Sequence, residues 1–335
     1  MKAVCQFCSV TDDKTIAMKK IKLGFADVWF DDYRKSGTIS YIINCLQTKY
    51  EIEFSNDPEF LFCSCFGTEA YLYDCCKIFI TGENIIPDFN LYDYGIGFSN
   101  IHFDDRYLRF PLYALYVREF KLAQQKHLAD YTTRDKFCAI VVSNMKNASS
   151  RRAEILDVLS DYRQVDSGGR YRNNVGGPVK NKIDFLKSYK FSVAFENTSF
   201  PGYITEKIIE SWAAGTIPIY WGAPDIIEEF NPKAYINCTD RNLNDVLEEV
   251  KEIDQNEKLF LEMIRAPILY DEGRSYRSAS YVHNDLLLGF FSNIFDRGVH
   301  KRIPAEGITV MFNNKKRKIS RIENSLGGKI IKKIF

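Results

Sequence analysis

No stretch of this 335-residue chain approaches the roughly 18 apolar residues that a membrane-spanning helix requires. Its first residues, MKAVCQFCSVTDDK, lack the apolar core of a secretion signal. There is no Gly-Lys-Ser/Thr ending of a phosphate-binding loop and no Gly-x-Gly-x-x-Gly fingerprint for a dinucleotide. There is also no Asp-x-Asp triplet, the carboxylate pair with which many nucleotide-sugar enzymes hold a divalent metal. The adjacent pairs Asp31-Asp32 and Asp104-Asp105 would diverge on extended backbone and read as surface residues. The nine cysteines fall into no regular framework. Cys5 and Cys8 have zinc-knuckle spacing without a matching second pair, and Cys63, Cys65, Cys75 and Cys76 lie in or beside apolar strand-like runs, as reduced core thiols do. These absences exclude a membrane-spanning protein and a disulfide scaffold. They predict a cytoplasmic protein, in which the sequons at Asn147, Asn197 and Asn237 are fortuitous.

What is present is enough apolar sequence for real cores, 45% hydrophobic residues beside 27% charged. The length suits two domains of about 150 residues each. Net charge is only +1, but it is unevenly placed. Eight basic residues, Lys315 to Lys333, stand against Glu323 alone in the last 25 positions, which leaves the rest of the chain mildly acidic.

Strand-like runs alternate with helical ones throughout. Ile21–Phe30, Tyr50–Phe54, Glu59–Gly67 and Lys77–Asn84 read as strands, with a helix over Gly37–Lys49 and a further short strand in YDYGIGFSN. Asp105–Phe137 has no clear strand and reads as a link. A second alternation begins with FCAIVVSN, a helix over Ser150–Tyr162 and the Gly-rich loop Asp166–Pro178. It continues with a helix near Asn181–Ser188, strand KFSVAFEN, helix Thr205–Ala214 and strand TIPIYWG. Helices Asn242–Ile253 and Glu257–Ile264 follow. Alternation of this kind predicts an α/β fold of two domains facing across a cleft, with residues 1–135 and 136–300 as the domains and 301–335 as a basic tail. Ligands in such sheets sit beyond the carboxyl ends of the strands, where loops such as TGEN fall.

The stretch FENTSFPGYITEKIIESWAAGTIPIYWGAP gathers polar groups at one such end. Glu196 and Asn197 follow an apolar strand, Thr205 stands where it can cap a helix, and Ile208, Ile209 and Trp212 recur at helical spacing. Lys207 lies in the first helical turn, where acidic residues are normally preferred. A cation there, added to a positive helix end, suits an anionic ligand. Arg151 and Arg152 open the helix after VVSN, and Arg170 and Arg172 lie in the Gly-rich loop. Singly each would be a solvated charge; together they describe a diphosphate pocket neutralised by cations and helix dipole.

These segments resemble the signature of the family 10 α-1,3/4-fucosyltransferases. The similarity takes in FITGENIIPDFNLYDYGIGF, DDRYLRFPLY, FCAIVVSN, DSGGRYRNNVGGPV, KFSVAFENTSFPGYITEKIIESWAAGTIPIYWGAP and NPKAYIN, in that order. It spans roughly Ile21 to Phe291 and is nearest the compact bacterial members. The resemblance implies a GT-B fold with two Rossmann-like α/β domains, the first for the acceptor and the second for GDP-fucose. It implies inverting transfer of L-fucose from GDP-β-L-fucose to an N-acetylglucosamine hydroxyl, O3 foremost, of a glycan. By motif, Glu83 of TGEN matches the general base, with Glu196 the competing candidate. Arg152 and Lys207 match the residues that hold the diphosphate, and Asn197, Tyr203 and Glu206 match others around the nucleotide and ribose. The loop before Arg152 is longer than in some relatives, so Arg151 stands as an alternative, and Arg170 and Arg172 attach loosely to donor binding. No essential metal is implied, a divalent cation being at most stimulatory. Two readings compete: a non-catalytic nucleotide-sugar or glycan-binding module, and a transferase of the same fold using another nucleotide sugar.

In the tail, Ile319, Ile322 and Leu326 share a helical face among lysines and arginines, and Gly327-Gly328 interrupts it. A basic amphipathic tail suits an anionic membrane surface, which predicts a peripheral position on the inner membrane; docking on the protein itself is the alternative. Nucleic acid is not expected, since no aromatic-basic platform accompanies KKRK.

Overall fold

The computed structural model describes residues 17–126, 134–146, 148–269 and 284–325. The opening Cys5/Cys8 pair, the Asn147 sequon and the tail beyond Ser325, with Leu326 and Gly327-Gly328, lie outside the described residues. Two parallel sheets form the frame. The first holds β1 (Lys19–Ala26), β2 (Tyr50–Phe54), β3 (Phe60–Cys63), β4 (Cys76–Ile80), β5 (Tyr94–Gly97) and β6 (Tyr107–Arg109), in the order β2-β1-β3-β4-β5-β6. The second holds β7 (Lys136–Ile140), β8 (Val165–Ser167), β9 (Tyr189–Phe195), β10 (Ile217–Trp221) and β11 (Ile236–Asn237), in the order β11-β10-β9-β7-β8. Strands covered on both faces must be apolar along their whole length, and FLFC and IPIYW are buried at every position.

Several boundaries differ from expectation for local reasons. β1 stops at Ala26 because Asp27 adopts a left-handed φ of 56°, and its carboxylate accepts the N–H groups of Glu69 and Ala70, both at 2.8 Å. The link between the sheets is more regular than expected, carrying β6 and the helix α2 (Val117–Gln124). The first residues of the Gly-rich loop, Asp166 and Ser167, belong to the edge strand β8.

The helices bind the two halves into one core. α1 (Gly37–Leu46) is capped by Ser36, whose hydroxyl accepts from Ile39 N–H, and buries Ile39, Ile42, Ile43 and Leu46. α3 (Arg151–Ser160), α4 (Lys182–Leu186), α5 (Glu206–Ala213), α6 (Leu243–Gln255) and α7 (Glu257–Arg265) accompany the second sheet. α5 turns Ile208, Ile209 and Trp212 inward, and Trp212 Nε1 donates to Ala234 O at 2.8 Å. α8 (Asn284–Phe295), although late in the chain, crosses to the first sheet, where Phe295 meets Phe60 and Phe291 meets Phe62 at ring separations of 4.7 and 5.5 Å. A single apolar cluster thus runs from Ile21 through Phe62 to Trp212 and Phe295. Each such side chain contributes about 1.5–3 kcal/mol on burial.

α9 (Ile308–Glu323) docks on the turn Glu69–Leu72. The Ser320 hydroxyl donates to Thr68 O at 2.6 Å, Arg317 Nε to Tyr71 O at 3.0 Å, and the Thr68 hydroxyl to Glu323 at 2.8 Å. Its contacts with the protein are therefore largely polar. Ile308, Met311 and Ile322 remain 82%, 71% and 68% exposed. Among the described residues no helix is long and apolar enough to cross a membrane.

Candidate active site

The carboxyl ends of β4, β7 and β9 are where the polar residues collect. β9 delivers Glu196 into the interior, where it is completely buried. One carboxylate oxygen accepts the Thr205 N–H at 2.8 Å; the other accepts the Thr205 hydroxyl at 2.7 Å and lies 3.1 Å from Lys207 Nζ. Glu196 thereby fastens the start of α5 to the end of β9. Gly222 makes room for it, since a Cβ there would stand 2.5 Å from Glu196 Cγ. The expectation that Thr205 caps α5 through its side chain is not met: its hydroxyl is turned to Glu196 and makes no capping hydrogen bond.

Lys207 is fixed by three oxygens. Its Nζ donates to Thr205 Oγ1 at 2.9 Å and lies 3.1 Å and 3.2 Å from Glu196 and Glu206. Burial alone would lower its pKa, but the two carboxylates outweigh that and hold the ammonium well above the ordinary lysine range. Burial pushes the Glu206 carboxyl upward, while Lys207 and Lys182 pull harder and leave it below the usual carboxylate range. Both groups are charged at neutral pH, a cation and an acceptor side by side.

Arg152 joins them from α3. It is 3% exposed, and its Nε and Nη2 donate to Phe195 O at 3.1 and 2.7 Å, directly before Glu196. Burial lowers its pKa against the opposing pull of Glu196, yet a guanidinium stays charged. Arg151 faces elsewhere, donating to Cys238 O and Arg241 O at 3.3 and 2.9 Å and lying over the Trp221 ring. Of the two neighbouring arginines, Arg152 is the one at the cluster. Asn197 is half-buried beside it, its carbonyl accepting the Ser149 N–H at 2.9 Å.

Tyr203 closes the cluster toward the first sheet, its ring edge-on to Phe98 at 4.8 Å. Burial raises its phenol above the ordinary tyrosine range, and the charges of Glu196, Glu83 and Glu206 add to that. Glu83 is thus near enough across the cleft to act on the buried phenol. It is exposed in the loop after β4, and the backbone holds it: its N–H donates to Thr81 Oγ1 at 3.1 Å and its carbonyl accepts Ile85 N–H at 2.7 Å. Among the described residues its carboxylate makes no hydrogen bond or ion pair.

The Gly-rich loop packs on the carboxyl end of β7, its Tyr171 N–H on Val142 O at 3.0 Å, and among the described residues it makes no hydrogen bond or ion pair with Arg152, Glu206 or Lys207. Arg172 is exposed at a left-handed φ of 47° and is ion-paired to Asp157 on α3. Arg170 is exposed with its N–H on Ser143 Oγ at 3.3 Å, in the loop after β7. Other residues that shape the cleft were not singled out from sequence. Asp225 accepts Gly202 N–H at 2.7 Å and the amide of Asn100. Gly202 has φ 76°, and a Cβ there would stand 2.5 Å from Phe98 O, so the FPGY loop lies directly on the first domain. Beside this seam Glu229, fully buried, binds Arg109 and the Tyr113 hydroxyl. The available signal was Arg109 itself, a charge inside the apolar run of DDRYLRFPLY.

A model of the alpha-(1,3)-fucosyltransferase FucT N-terminal domain matches residues 24–116, and a model of the glycosyltransferase family 10 (fucosyltransferase) C-terminal region matches residues 131–265. The chain belongs to glycosyltransferase family 10. Among family 10 relatives, the alpha-(1,3)-fucosyltransferase FucT of Helicobacter pylori is 31% identical over 317 residues, covering 82% of this chain. The chain spans 66% of the length of that enzyme. A crystal structure of an alpha1,3-fucosyltransferase superposes with a TM-score of 0.74 at 30% identity, over 86% of this chain and 93% of that one. An alpha1,3-fucosyltransferase solved with GDP-fucose gives 0.71 at 29% identity, over 85% and 93%. The fold is that of the family 10 enzymes: two Rossmann-like parallel sheets of GT-B type.

Proposed function

We propose that this protein is an inverting fucosyltransferase that moves L-fucose from GDP-β-L-fucose to O3 of N-acetylglucosamine in a glycan. The observation that carries the reading is the convergence of buried Arg152, fixed Lys207 and acidic Glu206 on one strand end, facing an exposed Glu83 whose carboxylate has no partner among the described residues. Family membership and likeness to a structure solved with GDP-fucose support it.

In this reading the diphosphate lies against Arg152 and Lys207, and Glu206 accepts hydrogen bonds from ribose hydroxyls. Asn197 and Tyr203 line the nucleotide, with Arg170 and Arg172 at most at its margin. Inversion needs one in-line displacement, with base and leaving group on opposite faces of the sugar. The Glu83 carboxylate takes the proton from the acceptor hydroxyl as that oxygen bonds to the anomeric carbon and the bond to GDP breaks. General-base help of this kind is worth about 10²–10⁴ in rate. The charge released on GDP meets cations already in place, so little reorganisation is needed. Glu196, with both oxygens engaged by Thr205, serves as a positioning group rather than as the base. The cations carry the charge stabilisation in this mechanism without an essential metal, a divalent cation being at most stimulatory.

The exposed Ile308, Met311 and Ile322 of α9, flanked by Lys315 and Lys318, suit adsorption to an anionic membrane surface from the cytoplasmic side. That would bring a membrane-bound glycan acceptor to the cleft. A mass-spectrometric assay with GDP-fucose and a panel of N-acetylglucosamine-containing acceptors, with EDTA and Glu83→Ala alongside, tests the proposal. Product that survives EDTA and disappears in the variant is expected. Donor binding without transfer to any acceptor would favour a binding module, and failure to bind GDP-fucose would overturn the donor assignment.

A further inference from the structure

A cavity of about 650 Å³ lies between the first sheet, the segment Lys301–Ala305 and α9. It is at the opening end of β4, whereas Glu83 follows that strand's closing end, so it is separate from the cleft. Four cations line it, Lys77, Lys301, Arg302 and Arg317, against the two carboxylates of Asp74 and Asp93. Both carboxylates are already engaged. Asp93 accepts the backbone N–H groups of Lys77, Arg302 and Ile303 at 2.9, 2.6 and 3.2 Å. Asp74 takes Lys301 Nζ at 2.6 Å, with Arg317 at 3.6 Å. Arg302 is drawn to Asp105 at 2.8 Å.

Lys77 is the exception. It sits inside a strand buried at every position, is itself 7% exposed, and among the described residues its ammonium makes no ion pair or hydrogen bond. An ammonium that faces a cavity with no protein counter-ion in hydrogen-bond reach is open to an anionic ligand. From α9, Asn313 lines the same cavity with its side-chain oxygen buried and unpartnered. The cavity therefore carries a cation open to an anion and a buried acceptor that lacks a donor among the described residues, beside the apolar walls of Leu91, Ile303 and Val310.

We infer that this cavity is a second ligand site, built for a phosphate group that also bears a hydroxyl. Lys77 would pair with the phosphate oxygens and Asn313 would accept from the hydroxyl. Such a group is carried by a free phosphate monoester or by the head of an anionic lipid. The position of α9, one face on the cavity and another exposing Ile308 and Met311, is compatible with either source.

The test uses the full chain, Lys77→Met, and Lys258→Met on α7 as an exposed control that removes the same charge. Unfolding temperatures without ligand show that each variant folds. In the first arm inorganic phosphate and glycerol 3-phosphate are titrated while unfolding is followed. In the second, co-sedimentation is measured with vesicles of phosphatidic acid in phosphatidylcholine and of phosphatidylcholine alone. Binding weakened at least tenfold in Lys77→Met but unchanged in Lys258→Met supports the site. The effect in the first arm identifies a free phosphate, and an effect confined to phosphatidic acid vesicles identifies a lipid head. If neither arm separates Lys77→Met from wild type, or both variants lose binding equally, the inference is overturned.

Discussion

Lys207 shows why residue type alone does not define a site. A lysine in the first turn of a helix opposes the helix dipole, and here it is kept there by Glu196, Glu206 and Thr205. Replacing it with methionine removes a charge-assisted contact worth roughly 1.5–3 kcal/mol. Lys207→Met is therefore expected to weaken GDP binding about 10- to 100-fold in calorimetric titration. Unchanged affinity would remove Lys207 from the diphosphate contact. The sequence showed Lys207, Arg152 and Glu83 because each breaks a local rule or falls in a long motif. It did not show that Thr205 would turn to Glu196 instead of capping α5. That choice depends on a partner nine residues earlier, at the end of β9, brought close where the connecting loop returns to start α5.

At the scale of elements, the second sheet is secured at its far end by Asp254 at the close of α6. Its carboxylate accepts Tyr162 OH at 3.0 Å, and Arg163 and Lys190 at 2.8 Å each. Burial raises its pKa, but Lys190 and Arg163 outweigh burial and hold it below the usual aspartate range. A carboxyl whose folded pKa lies below its unfolded value, about 3.9, contributes stability that is fully present above that pH. The contribution is lost as pH falls through the lower, folded value. Asp254→Asn should cost roughly 1.5–3 kcal/mol at pH 7 in urea unfolding. The gap from wild type should narrow below about pH 4. A gap independent of pH would contradict the ionic origin. Most helices and strands were legible from periodicity, since parallel strands are continuous apolar runs and helices such as α5 repeat at three and four. Their ends were less so. β1 ends where Asp27 takes a left-handed turn to reach two N–H groups some 42 residues away, which no local pattern encodes.

At the scale of the whole molecule, the cleft depends on contacts between distant parts of the chain. α8 returns to the first sheet, Gly202 lies on Phe98, and Glu229 reaches Arg109 and Tyr113. Length and the alternation of strand-like and helical runs could suggest two α/β halves, but not which late helix would cross between them. The same holds for α9, where amphipathicity was visible and the polar docking on Thr68 and Tyr71 was not. Because its apolar residues stay exposed, Ile308→Ser, Met311→Ser and Ile322→Ser combined should reduce binding to anionic vesicles at least tenfold in co-sedimentation. Transfer to a soluble acceptor should be unaffected. Full vesicle binding by the triple variant would assign those residues no role at a membrane.

The central claim is that Glu83 acts on the acceptor while Arg152 and Lys207 hold the donor, so binding and chemistry should separate. The most direct measurement is single-turnover transfer from GDP-fucose by Glu83→Gln, alongside its GDP-fucose affinity. The account predicts affinity within about threefold of wild type and a transfer rate lower by about 10²–10⁴. Transfer at the wild-type rate would contradict it.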